Sequence, residues 1–197
     1  MLRLTSLTNQ YRRRTLRVLY GQTQAYPYGC TLSTNFDRAG GQLAGGQAVT
    51  GSKAAILPGA VALKVRGEEV TLAGSTEGAA TDTGTDALRA FGLFANFVGG
   101  QLDEIGDRGD VGVWRGVGSV YQVLQPAFNG TGLPADSAET GAAATAERYM
   151  IAGADGRLVY DAAAVGNVLG NATTAKKLVA RCISNKSANT ILIELLV

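Results

Sequence analysis

Val61-Ala62-Leu63-Lys64-Val65-Arg66-Gly67-Glu68-Glu69-Val70-Thr71-Leu72 is the stretch that decides the fold class. Val61, Leu63 and Val65 alternate with small or charged residues, Arg66-Gly67-Glu68-Glu69 interrupts them, and Val70 and Leu72 resume the alternation. A period of two places every second side chain on one face of an extended chain, so the stretch reads as a β-hairpin. Working outward, Phe91, Leu93, Ala95 and Phe97 alternate in the same way, although Leu88, Phe91 and Phe94 also satisfy a helical spacing. Gly92 and the surrounding strands favour the extended reading.

Further along, Val111 to Arg115 and Val120 to Val123 flank Gly116-Val117-Gly118, where glycine supplies the positive φ of a tight turn, and a second hairpin is expected. Arg148 to Ala152 and Arg157 to Tyr160 flank Gly153-Ala154-Asp155-Gly156, whose Asp-Gly step is a hairpin signal. Leu178 to Ile183 and Thr190 to Leu196 make a fourth pair, and a short helix is expected at 161–169. The fold class expected is mainly β, a small antiparallel barrel or sandwich-like domain over 51–197. An extended basic N-terminal arm over 1–50 precedes it.

Glycine supplies 27 of the 197 residues and aromatics 7%, so the core of the domain is expected to be thin. Charged residues are 17%, below the roughly 25% of ordinary soluble domains, which leaves a surface suited to burial against other copies. Apolar strands that one copy does not cover imply self-association, with a trimer expected. The C-terminal run Ile191-Leu192-Ile193-Glu194-Leu195-Leu196-Val197 is apolar on both faces of a strand except at Glu194, which nominates Leu192, Ile193, Leu195 and Val197 as subunit-interface residues.

Net charge is +2, but residues 1–36 carry Arg3, Arg12, Arg13, Arg14 and Arg17 and no acid, leaving −3 on the remainder. These five arginines are expected to contact a partner. Arg12 to Arg14 lie between Tyr11 and the Tyr26-Pro27-Tyr28 pair, a mixture of arginine and aromatics that also serves single-stranded nucleic acid. Five arginines without a repeated stacking platform favour docking to protein, and no direct nucleic-acid contact is expected.

Histidine is absent, which removes Ser-His and Cys-His nucleophile pairs and nearly all catalytic zinc arrangements. Gly46 to Lys53 nearly imitates a phosphate-binding loop but reverses its lysine and hydroxyl positions. Cys30 and Cys182, separated by most of the chain, fit neither a disulfide framework nor a zinc site and read as buried thiols. Asp103, Glu104, Asp107 and Asp110 form an acidic cluster without calcium-loop spacing, open to reading as a solvated loop, a docking face for basic arms of neighbouring subunits, or a cation site. No catalytic, cofactor or metal residue is assigned. No export-signal pattern or 18-residue apolar run occurs, so a soluble protein without membrane contact is expected.

From about residue 45 to 197 the chain resembles the head decoration, or capsid cement, proteins of tailed bacteriophages. The likeness rests on Gly51-Ser52-Lys53-Ala54-Ala55-Ile56-Leu57-Pro58-Gly59-Ala60-Val61-Ala62-Leu63, on Phe91-Gly92-Leu93-Phe94 ahead of the acidic cluster, and on Val111-Gly112-Val113-Trp114-Arg115-Gly116. The Gly153 to Tyr160 hairpin and the closing hydrophobic strand continue it. The resemblance implies a non-enzymatic virion protein on the outer capsid surface, often a homotrimer, clamping neighbouring major capsid protein subunits. A tail, baseplate or spike-like component shares this composition and is the alternative.

Overall fold

The computed structural model describes residues 16–20, 27–32, 56–73, 88–95, 110–136, 148–153, 156–161, 177–187 and 189–197. Every element among them is a strand: β1 (Leu16–Tyr20), β2 (Tyr28–Leu32), β3 (Val61–Arg66), β4 (Glu69–Leu72), β5 (Arg89–Phe94) and β6 (Asp110–Trp114), then β7 (Val120–Leu124), β8 (Phe128–Asn129), β9 (Tyr149–Ala152), β10 (Leu158–Tyr160), β11 (Leu178–Ser187) and β12 (Thr190–Leu195). The mainly β class is therefore what the chain adopts. The helix expected at 161–169 lies outside the described residues apart from Asp161.

Five strands close into a barrel in the order β2-β4-β3-β5-β6. The seam that closes it is the parallel pair β2–β4, while the other contacts around the ring are antiparallel. Closure removes the exposed strand edges that an open five-stranded sheet would leave. The remaining strands form one seven-stranded sheet, β1-β7-β12-β11-β9-β10-β8, antiparallel except for β10–β8.

Alternation on β3 joins the two bodies. Ala62 points into the barrel among Cys30, Leu32, Val70, Leu72 and Phe94. Val61 and Leu63 point outward, and with Leu93 they join Tyr121, Val123, Met150, Ile191, Ile193 and Leu195 of the large sheet in a second core. The same strand thus serves two hydrophobic clusters, as a period of two requires. Backbone contacts reinforce the junction: Val61 N–H donates to the Gly156 carbonyl at 2.8 Å. Gly156 has φ of 79°, and a Cβ there would stand 2.8 Å from Leu72 Cδ1 and 2.9 Å from the Ala73 carbonyl oxygen, so the β9–β10 turn reaches the barrel only with glycine.

The hairpins β3–β4, β9–β10 and β11–β12 form as the sequence predicts. The expected hairpin across Gly116-Val117-Gly118 does not. β6 pairs with β5 and β2 in the barrel, whereas β7 pairs with β12 and β1 in the large sheet. The glycines carry the chain from one body to the other because its backbone finds partners elsewhere. Gly116 N–H donates to the Val197 carbonyl, Gly118 N–H to the Leu195 carbonyl, and Leu195 N–H to the Ser119 carbonyl, at 2.8 to 2.9 Å.

The ambiguity at Leu88, Phe91 and Phe94 has a structural cause. Ala62 pairs with Gly92 and Leu63 with Ala90, so Phe91 is skipped in the ladder with β3. That irregularity lets Phe91 and Phe94, three apart, both join the barrel interior while Leu88 packs on the other core.

Two further expectations need revision. Residues 1–50 are not wholly an arm, because β1 is an outer strand of the large sheet and β2 a stave of the barrel, with Leu16, Cys30 and Leu32 buried. Ile193 and Leu195, expected at a subunit interface, are each 0% exposed inside the core of a single copy. The reason is that β12 is flanked by β7 and β11 in mid-sheet and turns its fully buried face, Ile191, Ile193 and Leu195, toward the barrel. Leu192 and Val197 are half-buried.

Candidate interaction surfaces

Strand direction gives the barrel two distinct ends. β2, β4 and β5 start, and β3 and β6 finish, at the same end, which gathers Tyr28, Lys64, Arg66, Glu68, Glu69, Arg89, Phe91 and Arg115 around one mouth. Tyr28 and Phe91 meet edge to face, ring centroids 5.9 Å apart at 75°. Two cations lie on this pair: Lys64 Nζ is 4.3 Å and Arg115 Cζ 4.2 Å from the Phe91 centroid, with Arg115 Cζ also 5.8 Å from that of Tyr28. Contacts of this kind are worth about 0.5–1 kcal/mol where exposed and fix the direction of the side chains. Arg66 is occupied by Glu69 at 2.7 Å. Lys64, Arg89 and Arg115 have no carboxylate partner among the described residues, and Lys64 stands directly opposite Arg89 across β3 and β5.

Beneath the mouth is Cys30, 3% exposed. Burial raises its thiol pKa, an effect opposed by Lys64 and Arg115 and reinforced by Glu68. A buried thiol held protonated is a packing group and not a nucleophile. Cys182 is likewise buried and forms no disulfide, its Sγ 3.4 Å from the Ser184 carbonyl oxygen.

Protein-family models, curated proteins and solved structures offer no match to the chain.

A second surface lies beside β8, the last strand in the order of the large sheet. Gln125, Asn129, Thr131, Asn185 and Ser187 line a concavity of about 440 Å³ over Phe128, and no charged side chain lines it. Its wall is held by a polar network that the sequence did not announce. Asp136 accepts from Asn185 N–H at 2.6 Å, from Ser184 Oγ at 2.6 Å and from Arg148 Nη1 at 2.9 Å, while Asn185 Nδ2 donates to the Leu133 and Pro134 carbonyls. Desolvation acts to raise the Asp136 pKa, but the hydrogen bonds from Asn185, Ser184 and Arg148 and the Arg148 charge hold it down at about 2. Such a wall is rigid. The lining can exchange neutral hydrogen bonds with a ligand and supplies no group to move a proton at neutral pH.

Of the residues singled out in the sequence, Arg3, Arg12, Arg13 and Arg14, the near phosphate-loop at 46–53, and Asp103, Glu104 and Asp107 fall outside the described residues. Arg17 belongs to β1, whose described partner is β7 alone, and Asp110 opens β6 opposite Thr31. The barrel mouth was missed because its eight charged and aromatic residues are spread from Tyr28 to Arg115. Its one sequence signal was Lys64 in place of an apolar residue on the inward register of β3, beside Ala62.

Proposed function

We propose that this protein is a non-catalytic structural component of a virion, a homotrimer on the outer capsid surface that cements the head of a tailed bacteriophage by bridging neighbouring major capsid protein subunits. The observation that carries the reading is the position of β1. It is an outer strand, pairing only with β7 among the described residues, and Arg12, Arg13 and Arg14 precede it by two to four residues. The basic stretch therefore enters the body at a sheet edge fixed by buried Leu16, a placement suited to gripping an acidic face of a neighbouring protein. The barrel, clamped to the large sheet through β3, is a stiff body of the kind a clamp needs.

The test is attachment to heads, separated from tails, of the virus that carries this chain. Wild-type protein should co-sediment with heads. Replacing Arg3, Arg12, Arg13, Arg14 and Arg17 together by alanine should reduce occupancy at least about tenfold, and 1 M salt should do the same, since the screening length falls from about 10 Å at 0.1 M to about 3 Å. Equal occupancy by the substituted protein would sink the reading. Co-sedimentation with tails alone would favour a tail or spike-like component, a reading to which the neutral, amide-lined concavity lends itself as a glycan-sized site.

A further inference from the structure

An asparagine side chain can present a donor or an acceptor, and which of them a ligand meets depends on the half that the protein has already engaged. In the concavity beside β8 that choice is made twice. Asn129 Oδ1 accepts from Thr131 N–H at 3.0 Å and from Thr131 Oγ–H at 2.7 Å. A backbone N–H can only donate, so the oxygen of this amide is fixed on Thr131 and its Nδ2 hydrogens are left over. Asn185 is engaged the other way round. Its Nδ2 donates to the Leu133 carbonyl at 3.2 Å and to the Pro134 carbonyl at 2.9 Å, while its backbone N–H is held by Asp136 at 2.6 Å. Carbonyls can only accept, so both Nδ2 hydrogens of Asn185 are spent and Oδ1 is left over. The two residues line the same concavity of about 440 Å³, which thus presents one fixed donor and one fixed acceptor. Neither amide can be turned round without losing two hydrogen bonds.

The rest of the lining narrows the ligand. Gln125 and Ser187, both exposed, add groups that donate and accept alike, and the described lining carries no charge. An ionic ligand would shed water there without gaining a counter-charge. Phe128, Leu133 and Ala135 supply the apolar part, and Gly130 lies against the Phe128 ring, where a Cβ would stand 3.1 Å from Cε2. A saccharide matches both halves. Each hydroxyl donates and accepts, so neighbouring hydroxyls answer the Asn129 donor and the Asn185 acceptor, while the C–H face of the sugar ring rests on apolar surface. The volume also falls within the range of about 300–1,000 Å³ usual for small-ligand sites. A peptide strand exchanges neutral hydrogen bonds too, but it is recognised along an extended sheet edge, and β8, the outer strand here, is two residues long. We propose that this concavity binds a neutral saccharide, oriented by Asn129 and Asn185. The site is a property of the single copy, so it goes beyond the capsid reading and does not depend on it.

The full chain is titrated with maltose, cellobiose, lactose and diacetylchitobiose, and with a blocked alanine tripeptide for comparison, by saturation-transfer difference NMR. At least one disaccharide should bind with a Kd of about 1 mM or tighter. Asn129→Asp keeps the oxygen that Thr131 needs and exchanges the NH2 group for a second oxygen. It should weaken that binding at least about tenfold while leaving the melting midpoint within a few degrees of wild type. Ala135→Trp, at an exposed position of the lining, fills the concavity and should abolish binding; it serves alone if Asn129→Asp melts early. Failure of all four disaccharides to bind more tightly than about 10 mM overturns the inference. So does binding that both variants leave intact, which would place the sugar elsewhere. Tripeptide binding tighter than that of every disaccharide, and lost in Ala135→Trp, assigns the concavity to peptide and overturns it as well. Head occupancy is scored separately: protein that binds heads but no sugar defeats this site alone, and protein that binds sugar but not heads defeats the capsid reading alone.

Discussion

Asp136 shows how much one carboxylate can organise. Its three donors come from Arg148, just ahead of β9, and from Ser184 and Asn185 of β11, and Arg148 is only 7% exposed although charged. Removing the acceptor deletes an ion pair to a nearly buried guanidinium together with the hydrogen bonds from Ser184 and Asn185, so Asp136→Ala should destabilise by about 2–3 kcal/mol, a loss of roughly 5–10 °C in thermal midpoint. The pH dependence has a fixed sign. Because the folded-state pKa, about 2, lies below the ordinary 3.8, the network contributes fully above about pH 4 and is lost as pH falls through 2. Melting followed by circular dichroism should decline across that window in wild type and more shallowly in Asp136→Asn. Gly92 makes a different demand. A Cβ there would run into the Trp114 carbonyl oxygen and crowd Val113, so Gly92→Ala should cost about 1–3 kcal/mol by prising β5 from β6, measurable by urea denaturation.

Among the elements, β12 is where burial and pattern part company. Both faces are apolar in sequence, yet only the Ile191, Ile193, Leu195 face is sealed; the opposite face carries Leu192, half-buried, and Glu194, which meets Arg181 at 2.6 Å across the ladder. Ile193→Asp should therefore abolish folding, whereas Leu192→Asp should leave a folded protein whose midpoint falls by a few degrees at most. Equal damage from both in a circular dichroism melt would mean that the outer face is sealed as well. Local signals made most strands legible: alternation in β3, β7 and β12, and glycine-led turns in β3–β4 and β9–β10. What alternation does not encode is the partner. Val111 to Trp114 and Val120 to Leu124 read as a hairpin because a turn separates them, but the sheet each strand joins is decided by groups 70 or more residues away, at Leu195 and Val197 on one side and Tyr28 to Thr31 on the other. The mouth and the Asp136 network escaped for the same reason, since each assembles single residues from distant strands.

For the molecule as a whole, the coupling of barrel and sheet limits how the N-terminal stretch can be altered. A protein lacking residues 1–15 keeps β1 and should melt within a few degrees of wild type. One lacking 1–20 loses Leu16, which stands 3.6 Å from the Cβ position of Gly59, and uncovers the edge of β7. It should melt distinctly lower and aggregate on heating, as light scattering would report. Equal melting of the two truncations would mean that β1 adds nothing to the sheet.

The sheet order also carries a timetable. All five barrel strands lie before residue 115, so the barrel can close on the ribosome as soon as β6 emerges to meet β2 and β5. The large sheet cannot, because β12, the strand that joins β7 to β11, is synthesised after every strand it must connect. Until then β1 and β7 wait beside a finished barrel whose outer residues Val61, Leu63 and Leu93 have nothing to cover them. Pairing between distant segments is slow and leaves sticky intermediates exposed. Nascent chains stalled once β6 has cleared the ribosome but before β12 is made should thus resist protease in the barrel while recruiting holdase chaperones through that uncovered wall, and a chain released past Leu195 should shed them.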